Sequence, residues 1–284
     1  MIFIVLGKSI SINMNKKKMI KADTHIHPYE NEKSLAGMRK FVLEANKNGF
    51  DEICFTEHAY LLPGRTENAF KRYINFAMDL KNEFSYPRIN IGVELDYHPE
   101  KLYEIHKIIE DFPFDYVLGS VHIHTTLYKN EVSGFSFQNI SLFTIDMILE
   151  AVKSNLFDAI SHLDFFRMLI PEKEKYNPAY FKDGFLEIFK EMEKRDIALE
   201  INTSGLRRSF QSLHPEPEIL KWANDFDLNY TFGSDAHESR FVGFGFHKAL
   251  RALTKLQQEN LVSFRKRKIE DCNLCDDILE LNLK

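Results

Sequence analysis

Cysteine is scarce: three residues in 284, at Cys54, Cys272 and Cys275. So few, and an odd number, build no disulfide framework and suit a reducing cytosol, so a cytoplasmic location is expected. Cys272-Asn273-Leu274-Cys275 is a lone CxxC, with no second pair or nearby histidine to complete a zinc clasp. Excess positive charge is absent too. A formal net charge of -5 and a pI near 6.1 exclude a surface built to neutralise a phosphate backbone, so no nucleic-acid partner is expected. The run Arg265-Lys266-Arg267-Lys268 has no interleaved aromatics and reads as a solvated helix end. No apolar run is long enough to span a bilayer; residues 1–6 are too short and lack the basic leader and cleavage site of a secretory signal, so no membrane anchor is expected. Neither GxGxxG nor GxxxxGK[ST] follows a strand, which removes the common nucleotide loops, and Gly243-Phe244-Gly245 reads as a turn entering a helix. There is no Gly/Ser linker and no internal repeat. The expected organisation is a single domain over 19–284, with residues 1–18 as an extension upstream of a natural start at Met19.

Short apolar, β-branched runs alternate with longer amphipathic stretches. The strand-like runs are 20–24, 52–56, 89–95, 116–122, 159–162, 198–202 and 230–234. Between them, 35–48, 69–84, 101–109, 141–154, 178–195 and 217–225 carry apolar residues at mixed three and four spacing. Residues 256–284 read as a helix followed by an acidic, apolar tail. About seven alternations mean parallel strands with crossover helices, in an open sheet or a closed barrel. Metal-capable side chains fall at or just past the C-terminal ends of at least five strands. A barrel collects those ends at one mouth, and this decides for a distorted (β/α)7, TIM-like barrel of the α/β class with a metal site at its C-terminal mouth.

Those side chains are His25 and His27, Glu57-His58, Glu94, His122, His162, and Asp235 and His237. In a strand, residues two apart share a face, so His25-Ile26-His27 and Asp235-Ala236-His237 can each aim two ligands at one centre. One of eleven histidines alone is usually a surface or hydrogen-bonded residue; the joint pattern is what points to ligation. His, Asp and Glu without Cys suit catalytic first-row divalent ions. Six or more ligands over-supply one ion, so two or three divalent ions are expected, manganese, zinc or iron, with Glu94 as the natural bridge.

The succession Asp23-Thr24-His25-Ile26-His27, Phe55-Thr56-Glu57-His58, Gly92-Val93-Glu94-Leu95-Asp96-Tyr97, Gly119-Ser120-Val121-His122, Ser161-His162-Leu163-Asp164 and Gly233-Ser234-Asp235-Ala236-His237 resembles the polymerase-and-histidinol-phosphatase (PHP) family over about residues 20–255. The resemblance implies a trinuclear centre. The first ion takes His25, His27, Glu94 and Asp235, the second shares Glu94 and adds His122 and His162, and the third takes His58 and His237. Relatives supply one more ligand to the third ion shortly after the first histidine pair, which here is Glu30 or Glu32. The segments 161–167 and 200–207 resemble the histidinol-phosphate phosphatase branch.

That branch implies hydrolysis of a small-molecule phosphate monoester, L-histidinol phosphate, to L-histidinol and inorganic phosphate in histidine biosynthesis. Another phosphoesterase of the family, acting on nucleotides or nucleic-acid ends, is the alternative; a barrel that binds metal without turnover is a third. Guanidinium forks match a phosphate dianion, so Arg167 and Arg207 are the candidates to grip it, with Arg208 in reserve; the competing role is pairing with Asp164 or Glu200. His124, two residues after His122, either approaches substrate or packs. Water activated by the ions is the expected nucleophile, with no phospho-enzyme. Asp235 and His237 are the catalytic candidates at the leaving group; a ligated His237 cannot donate directly, which leaves Asp235 or a water. The connections 61–68 and 125–138 are expected to shape selectivity. The oligomeric state is left open.

Overall fold

β-branched and aromatic residues form short strands, and nearly every one leads into a helix with a single apolar stripe. The computed structural model describes residues 21–62, 64–170 and 176–272; the expected 1–18 extension and Cys275 lie outside them. The strands are β1 (Ala22–Ile26), β2 (Glu52–Phe55), β3 (Arg88–Asp96), β4 (Tyr116–Ser120), β5 (Ala159–Ile160), β6 (Ala198–Asn202), β7 (Tyr230–Gly233), β8 (Leu261–Arg265) and β9 (Lys268–Cys272). The helices are α1 (Leu35–Lys47), α2 (Glu67–Glu83), α3 (Leu102–Asp111), α4 (Phe137–Ser154), α5 (Lys182–Arg195), α6 (Pro217–Ala223) and α7 (Phe246–Lys255). Ser34, Thr66 and Ser136 start α1, α2 and α4 by accepting from the backbone N–H three residues on.

β1 to β7 pair in chain order, all parallel. The sheet closes where β1 meets the chain beyond β7: Asp235 N donates to His25 O at 2.8 Å and His27 N to Ala236 O at 2.9 Å. The barrel and its crossover helices are as expected from the alternation. Asp235-Ala236-His237, however, lies past the end of β7, with Asp235 at φ 52, so strand alternation does not aim its side chains. The backbone bridge between Ile26 and Ala236 does.

The C-terminal stretch departs from expectation. Residues 261–272 form an antiparallel hairpin where a helix was expected, and Arg265-Lys266-Arg267-Lys268 is its tight turn, with Lys266 and Arg267 at φ 50 and 61. Two consecutive left-handed residues make the turn twist with its strands. Arg267 is tied down, its guanidinium donating to Asp158 at 2.8 Å. β8 reaches β7 through the pair Tyr230–Leu261. From there the hairpin covers the barrel end opposite the mouth, where Val262 and Phe264 pack on Cys54, Tyr116, Leu118, Ala159 and Ala198. Asn90 donates to Phe264 O and to Glu52 Oε1, both at 2.7 Å, so the backbone group brought inside is satisfied. The hairpin thus closes that end and leaves the mouth as the open end of the interior.

Candidate metal centre

The candidate ligands gather from the ends of β1 to β5 and from the segment after β7, and the carboxylate of Glu94 on β3 stands at their centre. Its Oε2 faces three imidazoles, at 3.1 Å from His58 Nδ1, 3.3 Å from His27 Nε2 and 3.4 Å from His25 Nε2. Its Oε1 faces two others, at 3.0 Å from His162 Nε2 and 3.6 Å from His122 Nε2. Asp235 Oδ1 lies 3.4 Å from His27 Nε2 and 3.8 Å from His25 Nε2. His237 Nε2 sits 2.8 Å from Glu30 Oε2. Three sets of donor atoms lie within 4.8 Å of one another: His25, His27 and Glu94; His58, Glu94 and His122; and His27, Glu30, His58 and His237. Glu30 belongs to the third set, whereas Glu32 pairs with Lys40 at the surface. His58 stands in two sets, and His162 joins through Glu94 alone.

The donor set fits divalent ions. His25 Nδ1 is 2.6 Å from Glu200 Oε1, so Nδ1–H donates to the carboxylate and Nε2 is turned to His27 Nε2, 2.9 Å away. Two ring nitrogens that close need a proton or a cation between them. His27 Nδ1, His58 Nδ1 and Glu94 Oε2 are buried without a well-aligned hydrogen bond, a cost that coordination would remove. Burial raises the Glu94 carboxyl, but the imidazoles of His58, His25 and His122 outweigh it and hold it well below the usual range. Burial lowers His27, and the neighbouring carboxylates of Glu57 and Glu94 carry it up to about 9. Burial among His27, His122 and Arg65 drives His58 well below its ordinary value. Burial likewise raises Asp235, yet His25, His237 and His27 keep it well below the carboxylate range. Asp235 is thus an acceptor, a poor fit to the expected leaving-group acid.

Ring orientation is set by residues that motif reading did not single out. Glu200 Oε2 also accepts from His162 N at 2.8 Å and from Asn202 Nδ2 at 3.0 Å. Asp96 Oδ1 holds His122 twice, at 3.0 Å from Nδ1 and 2.9 Å from its backbone N–H. Such carboxylate–imidazole pairs fix a ligand's tautomer and angle. A signal existed for both: a carboxylate inside an apolar strand run, two residues from another polar group. Arg65, bridging Glu57 at 3.1 Å and Glu30 at 2.8 Å, carried none. Gly233 is required by close approach, since a Cβ there would lie 1.9 Å from Glu200 Oε1 and 2.6 Å from His25 Cβ.

The arginines divide. Arg167 is not brought to the mouth: it is buried, its Nε 2.8 Å from Asp164 Oδ2, its Nη1 3.2 Å from Glu216 and its Nη2 donating to Leu213 O at 2.6 Å. The competing expectation, pairing with Asp164, describes it. A guanidinium that far from water needs its fork filled, and these partners fill it. Arg207 donates to the carbonyls of Ser234 and Asp235, both at 2.9 Å, and stacks on Phe241, leaving its buried Nη1 without a partner. Arg208, held in reserve on the sequence, is exposed and faces the mouth cavity, about 610 Å³ and lined also by Leu62, Arg65, His124, Thr125, Thr126, Phe165 and Met168. Both expected selectivity connections thus reach it. His124 lines it as well, and burial beside His122 lowers it to about 4, so it is neutral at neutral pH. Of the other histidines, His98 caps a turn by accepting from Glu100 N, and His214 pairs with Asp164 at 2.5 Å.

Residues 23–204 match the model of the PHP domain. A protein of Deinococcus radiodurans named probable histidinol-phosphatase is 28% identical over 264 residues, spanning 87% of this chain and 98% of its own. The histidinol-phosphatase of Lactococcus lactis is 28% identical over 272 residues, 89% of this chain and 97% of its own. That of Bacillus subtilis is 27% identical over 266 residues, 82% and 99%. In three dimensions the chain is similar to the crystal structure of histidinol phosphate phosphatase from Lactococcus lactis complexed with zinc, L-histidinol and phosphate, at TM-score 0.75 and 25% identity, covering 89% of this chain and 100% of that one. With a matched model over most of its length and a metal-capable cluster at the barrel mouth, the chain belongs to the PHP domain family.

Proposed function

We propose that this chain hydrolyses L-histidinol phosphate to L-histidinol and inorganic phosphate, a cytoplasmic step of histidine biosynthesis. The observation that carries the reading is Glu94, whose two oxygens face two separate groups of imidazoles at the floor of an open cavity. His25, His27 and Asp235 would hold one ion, His122 and His162 a second, and Glu30, His58 and His237 a third, with Glu94 shared. Manganese, zinc or iron in these places supplies Lewis acidity to the phosphoryl oxygens and lowers the pKa of water.

The chain's own residues do the rest. Glu200 and Asp96 keep His25 and His122 in the tautomers whose free nitrogens face Glu94. Arg207 fixes the Asp235 backbone, and Arg208, exposed at the rim, presents an unspent guanidinium fork to the phosphate dianion. Phe165 and Met168 give the cavity an apolar wall against which an imidazole ring can lie. No side chain is needed as a nucleophile.

A substrate panel on purified, manganese- or zinc-loaded protein tests this. Phosphate release from L-histidinol phosphate is expected to exceed that from nucleotides and oligonucleotide ends, to stop with a chelator and to return with divalent ions. Faster release from nucleic-acid ends would replace the reading with that of a nucleotide phosphoesterase.

A further inference from the structure

A second cavity, of about 320 Å³, opens on the outside of the barrel between α6 and α7 and shares no lining residue with the mouth. Its floor is apolar, made by Leu206, Leu213, Leu220, Ala252 and Leu256. Its rim is basic. Lys248, Arg251 and Lys255 lie three and four residues apart on α7, and Lys221 faces them from α6. All four are exposed, and among the described residues none has a carboxylate within ion-pair distance. Like charges at such helical spacing repel one another, and α7 carries no acidic residue to offset them; Glu218 on α6 forms no ion pair with Lys221. In a chain of net charge -5, this is a concentrated positive patch with an apolar hole in its middle.

We propose that this cavity is a ligand site in its own right, for a small amphipathic anion: a carboxylate carried on an aliphatic or aromatic body. The volume lies at the lower end of the range for small-molecule sites, and the lining has their usual make-up, mostly apolar with a few convergent charges. The carboxylate sits among the ammonium and guanidinium groups of Lys221, Lys248 and Arg251, and the body fills the space over Leu213 and Leu220. Phosphate alone leaves that floor empty, and a neutral apolar molecule leaves the rim uncompensated. The occupant needs both parts. Leu206 immediately precedes Arg207 and Arg208 in a turn where Gly205 packs tightly under Ser212 O, so the occupant touches the same turn that carries the mouth arginines.

Titration calorimetry on the full-length, metal-loaded protein separates the two requirements, with octanoate as the probe and butyrate and octylammonium as controls. Octanoate is expected to saturate one site, butyrate, four methylenes shorter, to bind at least about tenfold more weakly, and octylammonium not to bind. The double variant Lys248→Glu/Arg251→Glu, both residues exposed and remote from the metal cluster, is expected to lose octanoate affinity by at least about tenfold with thermal midpoint and turnover unchanged. Octylammonium binding as well as octanoate, undiminished binding in the double variant, or no saturation would overturn the proposal. The binding measurement needs no turnover, so its outcome is independent of which phosphate ester the mouth hydrolyses.

Discussion

Glu200→Gln tests the architecture of the centre most sharply, because it keeps volume and removes one acceptor. In the wild type, Oε1 accepts from His25 Nδ1–H at 2.6 Å while Oε2 accepts from the His162 backbone at 2.8 Å. A glutamine offers one oxygen where the carboxylate serves His25 on one side and His162 and Asn202 on the other. If the oxygen turns to His25, the amide N–H₂ confronts the His162 N–H. If it turns to His162, the N–H₂ donates to His25 Nδ1, forcing the proton onto Nε2, the atom that faces Glu94 and His27. Either arrangement forfeits one charge-assisted hydrogen bond, about 1.5–3 kcal/mol. At 1.4 kcal/mol per factor of ten, that is a loss of roughly 10- to 100-fold in metal affinity, the range observed when a ligand histidine loses its supporting carboxylate. The assay is metal binding by chelator competition, with turnover then measured at saturating metal. Affinity is expected to fall while turnover at saturation largely recovers. Wild-type metal affinity in this variant would refute the claim that Glu200 sets the His25 tautomer.

Gly233→Ala drives a methyl into Glu200 and His25, so it is expected to lower stability by about 1–3 kcal/mol and to shed metal, read by thermal denaturation and elemental analysis; an unchanged midpoint would show that the strand yields freely. Arg167→Ala leaves Asp164 and Glu216 without their cation and is expected to cost about 3–5 kcal/mol, seen in denaturant unfolding. Arg208→Ala, at an exposed rim position, is expected to raise KM for the phosphate ester while the midpoint stays put; the opposite pattern for the two arginines would reverse their assigned roles. Saturation with manganese or zinc is expected to stabilise the fold by about 2.7 kcal/mol at a hundredfold excess over Kd, and a midpoint indifferent to chelation would argue against ions at the mouth.

How much of this was legible depends on whether the deciding partner is local. The strand-like run that becomes β6, the amphipathic stretches and the seven-fold alternation are local patterns, and they translate directly into parallel strands and crossovers. The hairpin after α7 was read as helix because its charge run sits in the turn, where left-handed backbone at Lys266 and Arg267 leaves no short-range signature in Lys or Arg. Glu30 and Glu32 are interchangeable on paper. Only the placement of His237, two hundred residues away, distinguishes the ligand candidate from the surface ion pair with Lys40.

Residue type and spacing alone established which side chains could hold ions, that they sit at strand ends, and that a barrel would gather them, because strand period and ligand chemistry are properties of short segments. Tertiary structure decided which atoms face one another. It gave Glu94 two occupied faces, made Glu200 and Asp96 orienting groups, and turned Arg167 inward while leaving Arg208 at the rim. Those outcomes depend on contacts between strands and loops dozens to hundreds of residues apart, where a buried guanidinium goes to whichever carboxylates and carbonyls the fold puts within reach.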